Sequence, residues 1–156
     1  MKRRDFFKKL GTVVAISAVA PMMSFGADEK KAKGPNELSY EKALEAITNG
    51  KGAKPSAKVH LKVPEIAENG AVVPVSVEVD SPMTEQDYVK TIHIFATKNN
   101  NSRCLAVHFT PANGKAMLAT RVKLGSTQDI AAIVEMSDGT FLSASQSVKV
   151  TIGGCG

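Results

Sequence analysis

The run Ala71-Val72-Val73-Pro74-Val75-Ser76-Val77-Glu78-Val79-Asp80 decides the fold. Ala71, Val73, Val75, Val77 and Val79 fall on one face, and Pro74, Ser76, Glu78 and Asp80 on the other. Successive side chains of a strand point to opposite faces, so a period of two marks a strand with one buried face. Valine also suits the pleated surface. Pro74 cannot donate to a ladder, which predicts that its strand lies at an edge or is kinked.

Working outward, Lys58-Val59-His60-Leu61-Lys62-Val63 alternates in the same way. Further strands are predicted at about 90–98, 103–110, 116–124, 129–137 and 141–152. Turn residues separate them: Glu68-Asn69-Gly70, Ser81-Pro82, Lys98-Asn99-Asn100-Asn101, Pro111-Ala112-Asn113-Gly114 and Ser137-Asp138-Gly139-Thr140. Asp138-Gly139 is the strongest hairpin signal among them. About seven short strands at this spacing predict an all-β chain, an immunoglobulin-like β-sandwich. One short N-terminal helix precedes it. Ser39 is its expected N-cap, Tyr40, Ala43, Leu44 and Ile47 form one apolar stripe, and Asn49-Gly50 ends it.

The first residues read as an address. Lys2-Arg3-Arg4-Asp5-Phe6-Phe7-Lys8-Lys9 is basic and carries twin arginines; the apolar run Leu10–Ala20 follows, then the small-residue exit Ser24-Phe25-Gly26-Ala27. This is the build of a signal peptide over residues 1–27, of the twin-arginine (Tat) type. The apolar run falls short of the roughly 20 residues that span a bilayer. An ordinary Sec signal is the alternative, and it too predicts export. No Cys lies near the cleavage region, so no lipid anchor and no membrane attachment is expected after the signal is removed.

The signal also explains the charge. The whole chain carries a formal +5, but residues 1–27 hold five basic side chains against Asp5, which leaves about +1 for the rest. That balance argues against nucleic acid as a partner. Residues 28–38, with Lys30-Lys31-Ala32-Lys33, read as a flexible linker. Residues 39–152 then hold the helix and one sandwich domain, a length that can bury a core.

The chain closes on Gly153-Gly154-Cys155-Gly156, directly after the strand-like Ser147–Ile152. Val148, Val150 and Ile152 are expected to face inward, with Ser147, Lys149 and Thr151 outward. Free Cys is normally among the most buried residue types, yet Cys155 follows two glycines at the end of a strand. Such a thiol suits presentation to other molecules on an arm, residues 153–156, reaching roughly 10 Å past the sheet. Sulfur can add to a thiolate and leave again by exchange at a sulfur atom.

Four segments together resemble the SoxY family, the carrier proteins of bacterial thiosulfate oxidation. They are Pro64-Glu65-Ile66-Ala67-Glu68-Asn69-Gly70 leading into Val73-Pro74-Val75; Ser81-Pro82-Met83; Arg121 to Asp138-Gly139, with Gln128; and the terminal Gly153-Gly154-Cys155-Gly156. The resemblance covers most of residues 40–156. It implies a periplasmic immunoglobulin-like subunit that pairs with a SoxZ-like sandwich subunit as a heterodimer. It implies that sulfur intermediates stay covalently attached to Cys155, with Gly153, Gly154 and Gly156 as the carrier arm. A SoxAX-like haem protein would join thiosulfate to the thiol, and a SoxB-like hydrolase would release sulfate. Whether a sulfane dehydrogenase takes part is left open. No cofactor or metal of its own is implied: the chain reads as a carrier and not as an enzyme.

The remaining reactive residues support less. Cys104 is either a buried free thiol or one half of a bridge to Cys155 that would lock the arm. Cys104, His108 and Met117 faintly suggest copper, but residues four apart on a strand lie roughly 13 Å apart along it. His60 is expected to point outward with Lys58 and Lys62. Asp87, Glu135 and Asp138 show no pairing pattern for acid–base work, and Asp138 reads as a turn residue. Met83 and Met136 read as packing. Two alternatives to the carrier stand: an immunoglobulin-like secreted binding module without covalent chemistry, and a small redox or copper protein.

Overall fold

Among the described residues, helix α1 (Tyr40–Thr48) comes first, and nine strands follow it: β1 (Lys54–Pro55), β2 (Val59–Lys62), β3 (Ile66–Asn69), β4 (Val73–Val79), β5 (Val89–Ala96), β6 (Arg103–His108), β7 (Ala116–Val122), β8 (Gln128–Met136) and β9 (Phe141–Ile152). The structure is a computed structural model, and it describes residues 37–154. The signal expected over 1–27, most of the linker, and Cys155 and Gly156 lie outside the described residues.

The strands form two sheets. One has the order β1-β9-β8-β5-β6, with β3 also paired to β9; the other has the order β2-β4-β7. The valine face of β4 meets the inner face of the larger sheet. Val73, Val75, Val77 and Val79 pack with Ile92, Ile94, Ile130, Val134 and Val148 in one buried core. This is an immunoglobulin-like β-sandwich, as the alternation predicts.

β8 reads as a nearly unbroken apolar run because both of its faces are covered. Ile130, Ala132 and Val134 face the sandwich core. Ala131 and Ile133 face the other way and join Phe95 and Phe141 beneath Ala43, Tyr40, Leu44 and Ile47 of α1. Tyr40 meets Phe95 edge to face, with ring centroids 5.5 Å apart. Asn49, in the left-handed region at φ 51°, stops the helix. Ser39 starts it through its carbonyl, which accepts the Ala43 N–H at 2.9 Å; its side chain makes no capping bond.

Three sequence expectations need correction here. The domain has nine strands where about seven were expected; β1 and β3 are added, both parallel to β9. Ile152 does not face a core: it is 68% exposed, because the sandwich ends before it does. β4 is the middle strand of its sheet, but pairing to β2 stops at Ser76, so Pro74 stands where the strand has one neighbour.

One polar group sits oddly on the outer face of the larger sheet. His93 of β5 is 5% exposed, and both of its ring nitrogens lack a hydrogen bond among the described residues. Burial, with Arg103 and His108 adding to it and Glu135 opposing, lowers its pKa to about 4, so the ring is neutral at pH 7.

Candidate functional site

The site is the point where β9 leaves the sandwich. β9 pairs antiparallel with β8 only as far as Gln128↔Val148. Beyond that, Thr127 takes over: its hydroxyl accepts the Val150 N–H at 3.0 Å. On the other side β3 runs parallel, pairing Ile66 with Lys149, Ala67 with Val150 and Asn69 with Ile152. A short parallel strand is a weak sequence signal. Ala67 is its one buried residue, and Glu68-Asn69-Gly70 therefore reads as a turn.

Gly70 is the hub of the exit. Its N–H donates to the Ile152 carbonyl at 2.7 Å, and its carbonyl accepts the Leu124 N–H at 2.7 Å. The Leu124 carbonyl in turn accepts the Gly154 N–H at 2.9 Å. The turn after β3, the loop after β7 and the chain end are thus joined by three main-chain hydrogen bonds.

The contacts are close enough to exclude side chains. A Cβ on Gly154 would lie 2.7 Å from the Ala71 backbone nitrogen, and one on Gly153 would run into the Gly125 carbonyl. A Cβ on Gly70 would meet the Leu124 carbonyl oxygen, and would lie 2.8 Å from Val150 Cγ1 and 2.9 Å from the Gly154 nitrogen. Gly153 and Gly154 are therefore seated in a slot. This corrects the expectation of an arm free from Ile152 onward: Gly153 and Gly154 are held against the domain. Cys155 and Gly156, the other two residues assigned to the arm, lie outside the described residues.

The slot is braced from behind. Gln128 is 2% exposed. Its Oε1 accepts the N–H groups of Lys98 at 2.8 Å and Asn99 at 3.1 Å. Its Nε2 donates to Asn99 Oδ1 at 2.8 Å and to the Ser126 carbonyl at 3.1 Å. Asn99 then donates from Nδ2 to the Lys123 carbonyl at 2.7 Å and accepts the Gly125 N–H at 3.1 Å. Gln128 and Asn99 together fix the Lys123–Gly125 loop against which the chain end rests. Gln128 was noticed in the sequence through resemblance alone. Asn99 read only as a turn residue.

The other candidates disperse. Cys104 is a free thiol, half-buried on β6, and burial raises its pKa. Met117 stands 55% exposed on β7, away from any set with Cys104 and His108 on one strand. Among the described residues, no three His, Cys, Asp or Glu side chains converge as a metal site would require. His60 pairs with Asp80 at 2.8 Å on the exposed face. Glu135 pairs with Lys90 at 2.9 Å. Asp138 accepts the Thr140 N–H at 2.8 Å and its hydroxyl at 2.7 Å, bonds that lower its pKa and confirm it as a turn residue. Met83 and Met136 are buried in the core.

An immunoglobulin-like sandwich whose last strand ends in a seated glycine pair, one residue before a cysteine, is the class of protein that this geometry defines. The family model for sulfur oxidation protein SoxY matches residues 44–155, and the chain belongs to that family. Among solved structures, it is similar to the sulfur carrier protein SoxY from Chlorobium limicola f thiosulfatophilum, at 28% identity and a TM-score of 0.60, covering 70% of this chain and 89% of that one. A superoxide reductase (neelaredoxin) from Ignicoccus hospitalis, at 18% identity and a TM-score of 0.54 over 60% of this chain and 80% of that one, shares the fold alone. No curated protein matches the chain.

Proposed function

We propose that this chain is the covalent sulfur carrier of a periplasmic thiosulfate-oxidising system, exported by a twin-arginine signal, with Cys155 as the attachment point. In the first step the Cys155 thiolate and thiosulfate join through a new S–S bond, giving Cys–S–S–SO3⁻, and two electrons pass to a SoxAX-like haem protein. In the second, a SoxB-like hydrolase adds water at the sulfone: sulfate and two protons leave, and the persulfide Cys–S–S⁻ stays on the arm. A sulfane dehydrogenase, where one is present, would act on that persulfide. Holding one intermediate on a tether for successive enzymes gains from proximity.

The observation that carries this reading is the seated Gly153-Gly154 pair. It delivers the chain end from a defined point on a rigid sheet, one residue before the thiol. A thiol at this place can enter a partner's active site while the sandwich stays outside. Exposed Ile66, Val72 and Ile152 stand on the elements that build the exit and would offer partner enzymes an apolar footing. The SoxZ-like subunit belongs to the same proposal.

Intact mass tests it. Chain recovered after turnover with thiosulfate and the partner enzymes is expected to carry sulfur or thiosulfonate mass on the C-terminal peptide. Cys155→Ser is expected to abolish both the added mass and thiosulfate-dependent electron transfer, with the fold unchanged. Full activity in Cys155→Ser would sink the reading.

A further inference from the structure

We propose that the cleft beside the arm root binds the oxyanion end of the cargo on Cys155, an inference that rests on the carrier reading above. The cleft has a volume of about 280 Å³ and is lined by Asn99, Arg103, Cys104, Leu105, Arg121 and Lys123, among others. It opens between β6 and β7, the edge strands of the two sheets.

Charge is the first argument. Arg103, Arg121 and Lys123 all face the cleft, and its lining holds no Asp or Glu. The ion pairs among the described residues are His60–Asp80, Lys90–Glu135 and Lys115–Glu78, and none of them uses these three cations. Burial keeps Cys104 protonated, so it adds no negative charge. Three uncompensated positive charges thus meet at one concave place.

Position is the second. Lys123 immediately precedes Leu124 and Gly125, the residues against which Gly154 and Gly153 are seated. Asn99, which lines the cleft, is the residue that braces this loop. Two residues of extended chain span roughly 7 Å, so a group on Cys155 can reach the Lys123 rim without leaving the slot.

Chemistry is the third. A thiosulfonate ends in three oxygens that share a negative charge, and the guanidinium fork matches such oxyanions two bonds at a time. All three cations are exposed, which keeps the hold weak and reversible. A persulfide has lost those oxygens. The persulfide keeps one negative charge without the oxygens that the forks match, so the cleft holds the cargo more firmly as an oxyanion than after sulfate has left.

The test compares two methanethiosulfonate reagents of similar size, sulfonatoethyl (anionic) and hydroxyethyl (neutral). The Cys155 thiolate attacks the sulfenyl sulfur of either reagent, forms a mixed disulfide and expels methanesulfinate. Trypsin cuts after Lys149 and after Arg103, so mass spectrometry reads Cys155 and Cys104 on separate peptides. The anionic-to-neutral rate ratio at Cys155, referenced to the free peptide Gly-Gly-Cys-Gly, is expected to exceed one at low salt. In Arg103→Gln/Arg121→Gln/Lys123→Gln it should drop at least roughly threefold, the effect of the Lys123 charge alone at roughly 7 Å in water, while the neutral rate holds. Raising salt should bring the parent ratio down to that of the variant. Should the triple variant not fold, Lys123→Glu alone is expected to lower the ratio roughly fivefold. With the sulfonatoethyl group attached, the backbone amide signals of Asn99 and Lys123 should shift from their positions in the hydroxyethyl adduct. An unchanged rate ratio, or matching amide spectra, overturns the cleft proposal and leaves the carrier reading standing, since the thiosulfate mass experiment decides that separately.

Discussion

β9 has glycine at both ends, and the two ends use it for opposite reasons. In the turn that leads into the strand, Gly139 has φ 80°, and a Cβ there would meet nothing within 4 Å. Glycine is needed at that point for its backbone conformation. At the far end, Gly153 and Gly154 have no such backbone angle, yet a Cβ on either would run into backbone. Glycine is needed here because there is no room for anything else. Both ends look alike in sequence, as flexible residues beside a strand. One is a turn and the other is a fit.

The sharpest way to break the contrast is Gly70→Ala. The added methyl would strike Leu124, Val150 and Gly154 in a buried place with no free end to yield, and a loss of about 3 kcal/mol in chemical denaturation is expected. A near-neutral result would mean that the slot is loose and that the two ends of β9 do not differ in kind.

Acid strains the sandwich away from both ends. His93 has a folded pKa of about 4, below the ordinary 6.5, so its contribution is fully present above pH 6.5 and is lost as pH falls toward 4. About 3 kcal/mol should disappear across that window, and His93→Phe should remove that part of the pH dependence. Denaturation midpoints at pH 7 and pH 4.5 check this. Identical acid sensitivity in parent and variant would rule it out.

Gln128→Ala sharpens the comparison from behind the slot. It strands the N–H groups of Lys98 and Asn99, at a cost of about 2 kcal/mol. It should also speed hydrogen exchange at Gly154 and leave the Gly139 turn unaffected. Gly139→Ala is smaller, about 1 kcal/mol, since left-handed strain is its only cause. The smallest effect on stability belongs to Gly154→Ala. Gly154 lies beyond β9 and can lift from its seat, so the loss is about 0.5 kcal/mol, the low end for one hydrogen bond. Its signature is a freed arm: amide exchange at residues 153 and 154 should rise to coil values with the denaturation midpoint almost unmoved.

The alternating valines of β4 made the sandwich legible, because a period of two has one physical meaning when a face is buried. The apolar stripe of α1 and the Asp138-Gly139 turn were equally plain, each resting on interactions a few residues apart. β1 and β3 were not legible. They are two and four residues long, and what makes them strands is β9, which lies far along the chain. The site was legible in part. Cys155 and its glycines stood out, but the seat that holds Gly153 and Gly154 is made from Gly70, Leu124 and Gly125, residues without polar side chains that meet only after folding. Ile152 misled for a related reason, since alternation continues past the point where there is anything left to cover it.

Every bond in the seat runs between peptide groups, and none involves a group that titrates. The anchorage of the leash should therefore be indifferent to acidity and to ionic strength. The neighbouring cations, by contrast, would feel every change in salt. The molecule would keep its tether at constant length and vary only how firmly the end of it is held.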